Sequence, residues 1–140
     1  QVFIERMDQR ELAMIMQAIS NHDKEEMNFT HNISAILVLA DKSDVDRSRV
    51  TDTEPGHFKN DIHDRVNYAA TESKIKVENP SKGSGQEKKK RITLTLKIDT
   101  NVCPVIEYFE IFTERMVFCR KAAQFLGYDF GLVINNFKLL

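Results

Sequence analysis

The sequence predicts an α+β fold in which helices come first and a β-β-α-β extension with an antiparallel sheet follows. In the first half of the chain the apolar residues recur at helical spacing. Two later segments alternate apolar and polar residues, as half-buried strands do. A long helical pattern comes after these segments and would cover one face of the sheet. We therefore expect a helical domain over residues 1–73 and an α/β extension over residues 74–140.

Two helices are predicted near the start of the chain. The first follows the capping acid Asp8, because Glu11 lies three positions later and an apolar stripe then begins. The stripe consists of Leu12, Ile15, Met16 and Ile19. The second helix begins near Asn32 and is apolar nearly all round through Ala40, as in a helix enclosed by others. A short buried strand is the alternative for this run, but its alanines favour a helix.

A third helix is predicted in DIHDRVNYAATESK, residues 61–74, after a loop that contains Pro55 and Gly56. Helical spacing places four residues of this segment on one face: Ile62, Val66, Ala69 and Ser73. The helical domain would therefore end near residue 73.

The extension begins with two strand patterns, SKIKVEN at residues 73–79 and RITLTLKID at residues 91–99. Residues 80–90 between them contain no apolar side chain, which predicts a hairpin whose long tip is the most mobile interior segment. A long helix from Val105 to about Leu126 follows and Gly127 ends it. Its apolar stripe is Ile106, Phe109, Phe112, Met116, Cys119, Ala123 and Leu126. The last residues return to a strand pattern, with Asn135 and Asn136 marking a turn or bulge.

Composition excludes several classes of protein. Twenty basic and twenty-one acidic side chains give a net charge of −1, so no global field attracts nucleic acid or anionic lipid. The lysines of residues 80–90 have no interleaved aromatic residue to stack on bases, which favours a solvated loop. Two cysteines are too few for a disulfide framework, and neither a signal peptide nor a membrane span is recognisable. We expect a cytoplasmic protein that binds neither nucleic acid nor membrane.

Asp41 and His22 are the candidate metal ligands. Projected at about 100° per residue, Asp41 continues the apolar surface of the second helix, where a carboxylate needs a cation, a metal or a set of donors. His22 follows Ile15 and Ile19 on the first helix in the same way. A neutral histidine and an anionic aspartate together suit a divalent metal ion. The alternatives are a hydrogen-bonded or capping histidine, and an aspartate that pairs with a nearby lysine or arginine.

The residues after Asp41 suit a phosphate group. Arginine binds phosphate oxygens with two parallel hydrogen bonds, and a metal-bound hydroxide beside it is an arrangement used for phosphate ester hydrolysis. A charged helix end with surface ion pairs is the competing interpretation, and spacing alone favours it. The candidate substrate-binding residues are Lys42, Asp44, Arg47 and Arg49.

Three segments carry a resemblance to a known family: NHD at residues 21–23, AILVLADKSDVDRSRV at 35–50 and DIHDRVNYA at 61–69. They resemble the C-terminal half of bacterial HD-domain phosphohydrolases, in a subgroup with a small α/β extension. The resemblance continues through EYFEIFTERMVFCRKAAQFLG and LVINNFKLL at residues 107–127 and 132–140. It implies an HD-like helical domain, a divalent metal cofactor and hydrolysis of a nucleotide or another small phosphate ester.

The resemblance also implies roles for individual residues. Asp41 in LADK matches the last metal-binding aspartate of the family, and His22 resembles an auxiliary histidine. The family's first metal-binding histidine and its adjacent His-Asp pair have no counterpart here, since the doublets His22-Asp23 and His63-Asp64 do not replace them. The chain thus resembles a piece of an enzyme, and its start at Gln1 permits that an upstream segment has been removed.

Two functional hypotheses follow. In the first, the complete protein is a metal-dependent phosphohydrolase and this chain alone is inactive, with too few ligands to hold the metal. The second hypothesis is a non-catalytic interaction or dimerisation module. In the first hypothesis the missing helices uncover apolar faces at residues 12–19 and 33–40, which favours a homo-oligomer. In the second, the sheet and the long helix make a dimer or regulatory contact.

Overall fold

The structure, a computed structural model, describes residues 8–23, 28–50, 61–79 and 89–140. The loop expected around Pro55 and Gly56, and the hairpin tip at residues 80–88 that we expect to be mobile, lie outside the described residues. The helices are α1 (Gln9–Asn21), α2 (Asn32–Ser43), α3 (Ile62–Ala69) and α4 (Val105–Phe125), with a short 3₁₀ helix at Arg47–Arg49. The strands are β1 (Ala70–Glu78), β2 (Arg91–Ile98), β3 (Asp129–Ile134) and β4 (Phe137–Lys138). The α+β class and the order of elements agree with the sequence prediction.

Helices α1 and α2 start where the sequence predicts. The Asp8 carboxylate accepts a hydrogen bond from the Arg10 backbone amide at 3.1 Å and caps α1. The helix buries only Ala18, whereas Met16 and Ile19 of the predicted apolar stripe are 61% and 57% exposed. The α1 stripe is therefore only partly covered by the described part of the chain.

The third helix is shorter than predicted, because it ends at Ala69 and the chain continues directly into β1. Ser73, which helical spacing placed on the face of α3, lies in the strand and donates a hydrogen bond to the Ser43 carbonyl at 2.9 Å. The reason is long-range pairing: from Ala70 onward the backbone is paired with β2, which ends at Ile98. Local helical spacing does not contain this information.

The four strands form one sheet in the order β1-β2-β3-β4. The predicted hairpin of β1 and β2 is antiparallel, as is the β3–β4 pair, but β2 and β3 are parallel. The sheet is thus mixed and not wholly antiparallel as expected. The physical reason is α4, which carries the chain back across the sheet between β2 and β3 and makes them parallel neighbours.

Among the described residues, one hydrophobic cluster contains side chains from both predicted domains. Helix α4 lies between the sheet and α2, and Tyr108, Phe112 and Cys119 on it are fully or almost fully buried. The prediction of its buried stripe is wrong at Ile106, whose side chain is 62% exposed. Gly127 ends the helix with a φ of 81°, a conformation that glycine adopts without strain.

No helix in the four described ranges combines the length and the apolarity needed to span a bilayer.

Candidate functional site

The end of α2 places a lysine between two carboxylates. The Lys42 side chain is only 10% exposed, and its Nζ lies 2.5 Å from Asp23 Oδ1 and 3.0 Å from Asp41 Oδ2. Asp41 is partly withdrawn from water, with 30% of its side chain exposed, whereas Asp23 is 80% exposed. Because α1 ends just before Asp23 and α2 ends just after Lys42, the two helix ends are joined by this ion pair.

The charges of this cluster stabilise one another. Burial disfavours the ammonium form of Lys42, but the hydrogen bonds and charges of Asp23 and Asp41 outweigh it, so the pKa of Lys42 is raised. The hydrogen bond from Lys42, and then its charge, hold the pKa of Asp23 below the usual value. A charged lysine thus supplies the cation that the sequence requires beside Asp41.

Arg115 adds a second cation from α4. Its Nη2 donates a hydrogen bond to the Asp41 backbone carbonyl at 2.9 Å, and its guanidinium lies 5.1 Å from the centre of the Phe112 ring. Its Nε is buried without a hydrogen-bond partner among the described residues. The arginine therefore neutralises the C-terminal end of α2 next to the acidic pair.

His22 caps the end of α1. Its Nδ1 lies 2.6 Å from the Ile19 carbonyl oxygen, so this ring nitrogen carries the proton and donates. The ring borders a small cavity with Ser34 and Val38, which lie one to two turns before Asp41 on α2. His22 thus lies between α1 and α2, and Asp41 is on the second of these helices. The contact that His22 makes is the one expected of a capping histidine, which was one of the alternatives from the sequence.

The predicted substrate-binding residues have separate partners. Lys42 binds the two aspartates, Arg49 binds the Asp44 carboxylate, and the Arg47 guanidinium lies 5.0 Å from the centre of the Tyr68 ring. Asp44 also caps α2 through its backbone amide, which donates to the Asp41 carbonyl. These contacts match the competing interpretation of a charged helix end, and they do not direct the three cations toward one point.

The described residues do not by themselves fit a divalent metal ion. Within ranges 8–23, 28–50, 61–79 and 89–140, no three His, Cys, Asp or Glu side chains form a group that could hold one. A metal at Asp41 would also have to displace the Lys42 ammonium group. The remaining donors would have to come from elsewhere.

Two members of the cluster, Asp23 and Arg115, were missed in the sequence. Arg115 carried a signal, because it lies three residues after Phe112 and four before Cys119, on the buried face of an apolar helix. A charge at such a position requires a buried partner. Asp23 carried no comparable signal, since it follows the last turn of α1.

Comparison with known proteins gives no match: no family model, no curated protein and no solved structure is similar to this chain.

Proposed function

We propose that this chain is part of a metal-dependent phosphohydrolase of the HD superfamily, that it contributes Asp41 as a metal ligand and His22 as an auxiliary ligand, and that it lacks most of the family's other metal ligands. The substrate class is a nucleotide or another small phosphate ester. We also place the protein in the cytoplasm, in keeping with two buried, unpaired cysteines. The proposal rests on the sequence resemblance and on one structural observation.

That observation is the convergence of the Asp23 and Asp41 carboxylates on a single cation. The two carboxylates lie at neighbouring helix ends and hold one ammonium group between them, and Asp41 is the one that matches the family's ligand. In the present chain this ammonium group is that of Lys42. Binding of a divalent ion would therefore be coupled to movement of the Lys42 side chain and, at high pH, to loss of its proton.

The first test is an assay of the 140-residue chain with manganese on nucleotide monophosphates and on an aryl phosphate. We expect no appreciable turnover, because metal-activated water needs a closed ligand set with one open position. Robust turnover by this chain alone would contradict the proposal.

The second test uses the longer protein that the proposal requires. There, Asp41→Asn should abolish divalent metal binding, measured by calorimetry, together with turnover. Asp129→Asn is the matched control, because Asp129 is an exposed residue at the start of β3 and makes no contact in the Lys42 ion-pair cluster. If the Asp41→Asn variant still bound the metal, Asp41 would not be a metal ligand and the proposal would be wrong.

A non-catalytic interaction module is the second candidate, and exposed apolar side chains favour it. On α1, Met16 and Ile19 are 61% and 57% exposed, and on α2, Ile33 and Ile36 are 40% and 55% exposed. Such a surface is more typical of a protein that binds a partner than of an isolated domain. An interaction module would keep its partner after Asp41→Asn, whereas the enzyme would lose its turnover.

A further inference from the structure

The free edge of the sheet at β1 is the feature that carries a further inference. Strand β1 is nine residues long and pairs only with β2 among the described elements. Lys74, Ile75, Lys76, Val77 and Glu78 are all exposed, although they lie in a regular strand. An exposed edge of this length presents a row of backbone donors and acceptors to another strand.

The two faces of β1 differ in chemistry. Ile75 and Val77 pair with Leu94 and Ile92 of β2, so they lie on the inner face of the sheet, which is the face packed against α4. They are nonetheless 41% and 53% exposed. The outer face of the strand carries charges in the order Glu72, Lys74, Lys76 and Glu78. An added strand would therefore have to match apolar residues on one face and alternating charges on the other.

We propose that the occupant of this edge is a second copy of the chain, whose β1 pairs antiparallel about a two-fold axis at Lys76. In this register Lys74 of one copy faces Glu78 of the other, and Ile75 faces Val77. Each favourable pair occurs twice because of the symmetry. The match of opposite charges on the outer face and apolar residues on the inner face is the observation that selects a second copy.

Neighbouring registers match less well. An axis at Ile75 would place Lys74 against Lys76 and Glu72 against Glu78, which are all like-charge pairs. An axis at Lys74 would also place opposite charges together, Glu72 against Lys76, but it would place Ile75 against Ser73 and would use the irregular start of β1 between Ala70 and Glu72. An axis at Val77 leaves only residues 76–78 of each strand in the pairing.

Lys76 meets its own copy at the axis of the proposed dimer. The side chain is 72% exposed, and its Nζ lies 2.8 Å from the Glu78 carboxylate of the same strand. Water and Glu78 therefore screen the repulsion between the two ammonium groups.

The proposed pairing also places the α2 helices of both copies on the same side of the combined sheet. Because the two-fold axis is perpendicular to an antiparallel strand pair, the inner faces of both sheets lie on the same side of the eight-stranded sheet. Helix α2 lies on that side, since the Ser43 carbonyl accepts the hydrogen bond from inner-face Ser73. The α2 helices of the two copies, each with an exposed Ile36, thus lie on the same side of the eight-stranded sheet.

The test combines sedimentation with site-specific cross-linking of the whole 140-residue chain. We expect a concentration-dependent dimer, in which Lys76→Cys forms a disulfide with its own copy under mild oxidation. Two residues at the axis of an antiparallel pair have their Cα atoms about 4.5–5.5 Å apart, within disulfide range. Lys74→Cys is the matched control, because its two copies would be about 13 Å apart along the strands. The native Cys103 and Cys119 are buried, and the unsubstituted chain controls for them.

Charge reversal gives an independent test in case a cysteine variant fails to fold. Lys74→Glu and Glu78→Lys should each raise the dissociation constant at least about fivefold, because each places like charges opposite one another twice. The double reversal should restore dimerisation. A monomer at all concentrations, cross-linking at Lys74→Cys in place of Lys76→Cys, or a dimer that both single reversals leave unchanged would each overturn the proposal. These experiments measure the mass of the assembly and the register of the strands, and none of them measures turnover. A negative result would therefore contradict the dimer proposal without bearing on the phosphohydrolase proposal.

Discussion

Lys42 keeps a charged ammonium group at a position where only 10% of its side chain is exposed. It does so because Asp23 and Asp41 approach it from two helix ends, and the cost of burial is offset by two charge-assisted hydrogen bonds. At this scale the candidate site is an ionic cluster that holds α1 against α2. The stability of this cluster and any function of Asp41 therefore depend on the same residue, Lys42.

Replacing this lysine should destabilise the fold. We expect Lys42→Met to lower the free energy of unfolding by about 1–3 kcal/mol, because it leaves the partly buried Asp41 carboxylate without its cation. The measurement is urea unfolding at pH 7, followed by far-UV circular dichroism. Lys138→Met is the matched control, since this exposed lysine on β4 should change stability by less than about 0.5 kcal/mol.

The difference between Lys42→Met and the unsubstituted chain should depend on pH. The pKa of Asp23 is lowered in the folded state, so its contribution to stability is present above the ordinary value of 3.8 and is lost as the pH falls through the lowered pKa. The difference in the free energy of unfolding between the two chains should therefore become smaller in acid. A constant difference down to about pH 2 would show that Lys42 stabilises the fold through packing alone.

The β3–β4 hairpin shows how a single side chain can hold an element. Asn135 and Asn136 both have positive φ, 48° and 71°, as a tight hairpin turn requires. Asn135 also reaches across to β2: its Oδ1 accepts a hydrogen bond from the Ile98 amide at 2.8 Å, and its Nδ2 donates to the Ile98 carbonyl at 3.0 Å. The side chain therefore continues the β2–β3 ladder beyond its last strand pair, Leu96 with Ile134.

Substitution by glycine separates the two roles of Asn135. Asn135→Gly keeps the positive φ available but removes both hydrogen bonds, so we expect a loss of about 1–2 kcal/mol in the free energy of unfolding. Asn136→Gly should be close to neutral, because Asn136 is exposed and glycine readily adopts its φ. Urea midpoints of the two variants measure the difference. Equal midpoints would show that the turn conformation alone stabilises the hairpin.

At the scale of the whole molecule, the described elements share one hydrophobic core. The hydrophobic cluster includes Ala35 and Val38 of α2 as well as Leu94 and Leu132 of the sheet, with α4 packed between them. An ion pair between Arg65 of α3 and Glu107 of α4, at 2.9 Å, joins the two predicted parts again. Separate unfolding of residues 1–73 and 74–140 would have to expose this shared core.

We therefore expect one cooperative unfolding transition. Far-UV circular dichroism, which reports mainly the helices, and near-UV circular dichroism of the tyrosine and phenylalanine rings should give the same urea midpoint at one protein concentration. Two separated midpoints would instead support independent domains on either side of residue 73.

Much of this organisation follows from local sequence patterns. The starts of α1 and α2, the alternation in β2, the end of α4 at Gly127 and the asparagine turn all depend on residues close together in the chain. Backbone geometry and hydrogen bonding between near neighbours determine such features. For the same reason, the pairing of Asp41 with the adjacent Lys42 was among the alternatives that the sequence allowed.

Contacts between distant residues were decided only by the tertiary structure. The β1–β2 ladder determined that Ser73 belongs to a strand, and the crossover of α4 made β2 and β3 parallel. Asp23 and Arg115 joined the candidate site from 18 residues before Asp41 and 74 residues after it. A periodic pattern states which face of an element is apolar, but which partner covers that face depends on how the whole chain closes. That is why Ile75 and Val77, apolar positions of a correctly predicted strand, lie exposed at the edge of the sheet.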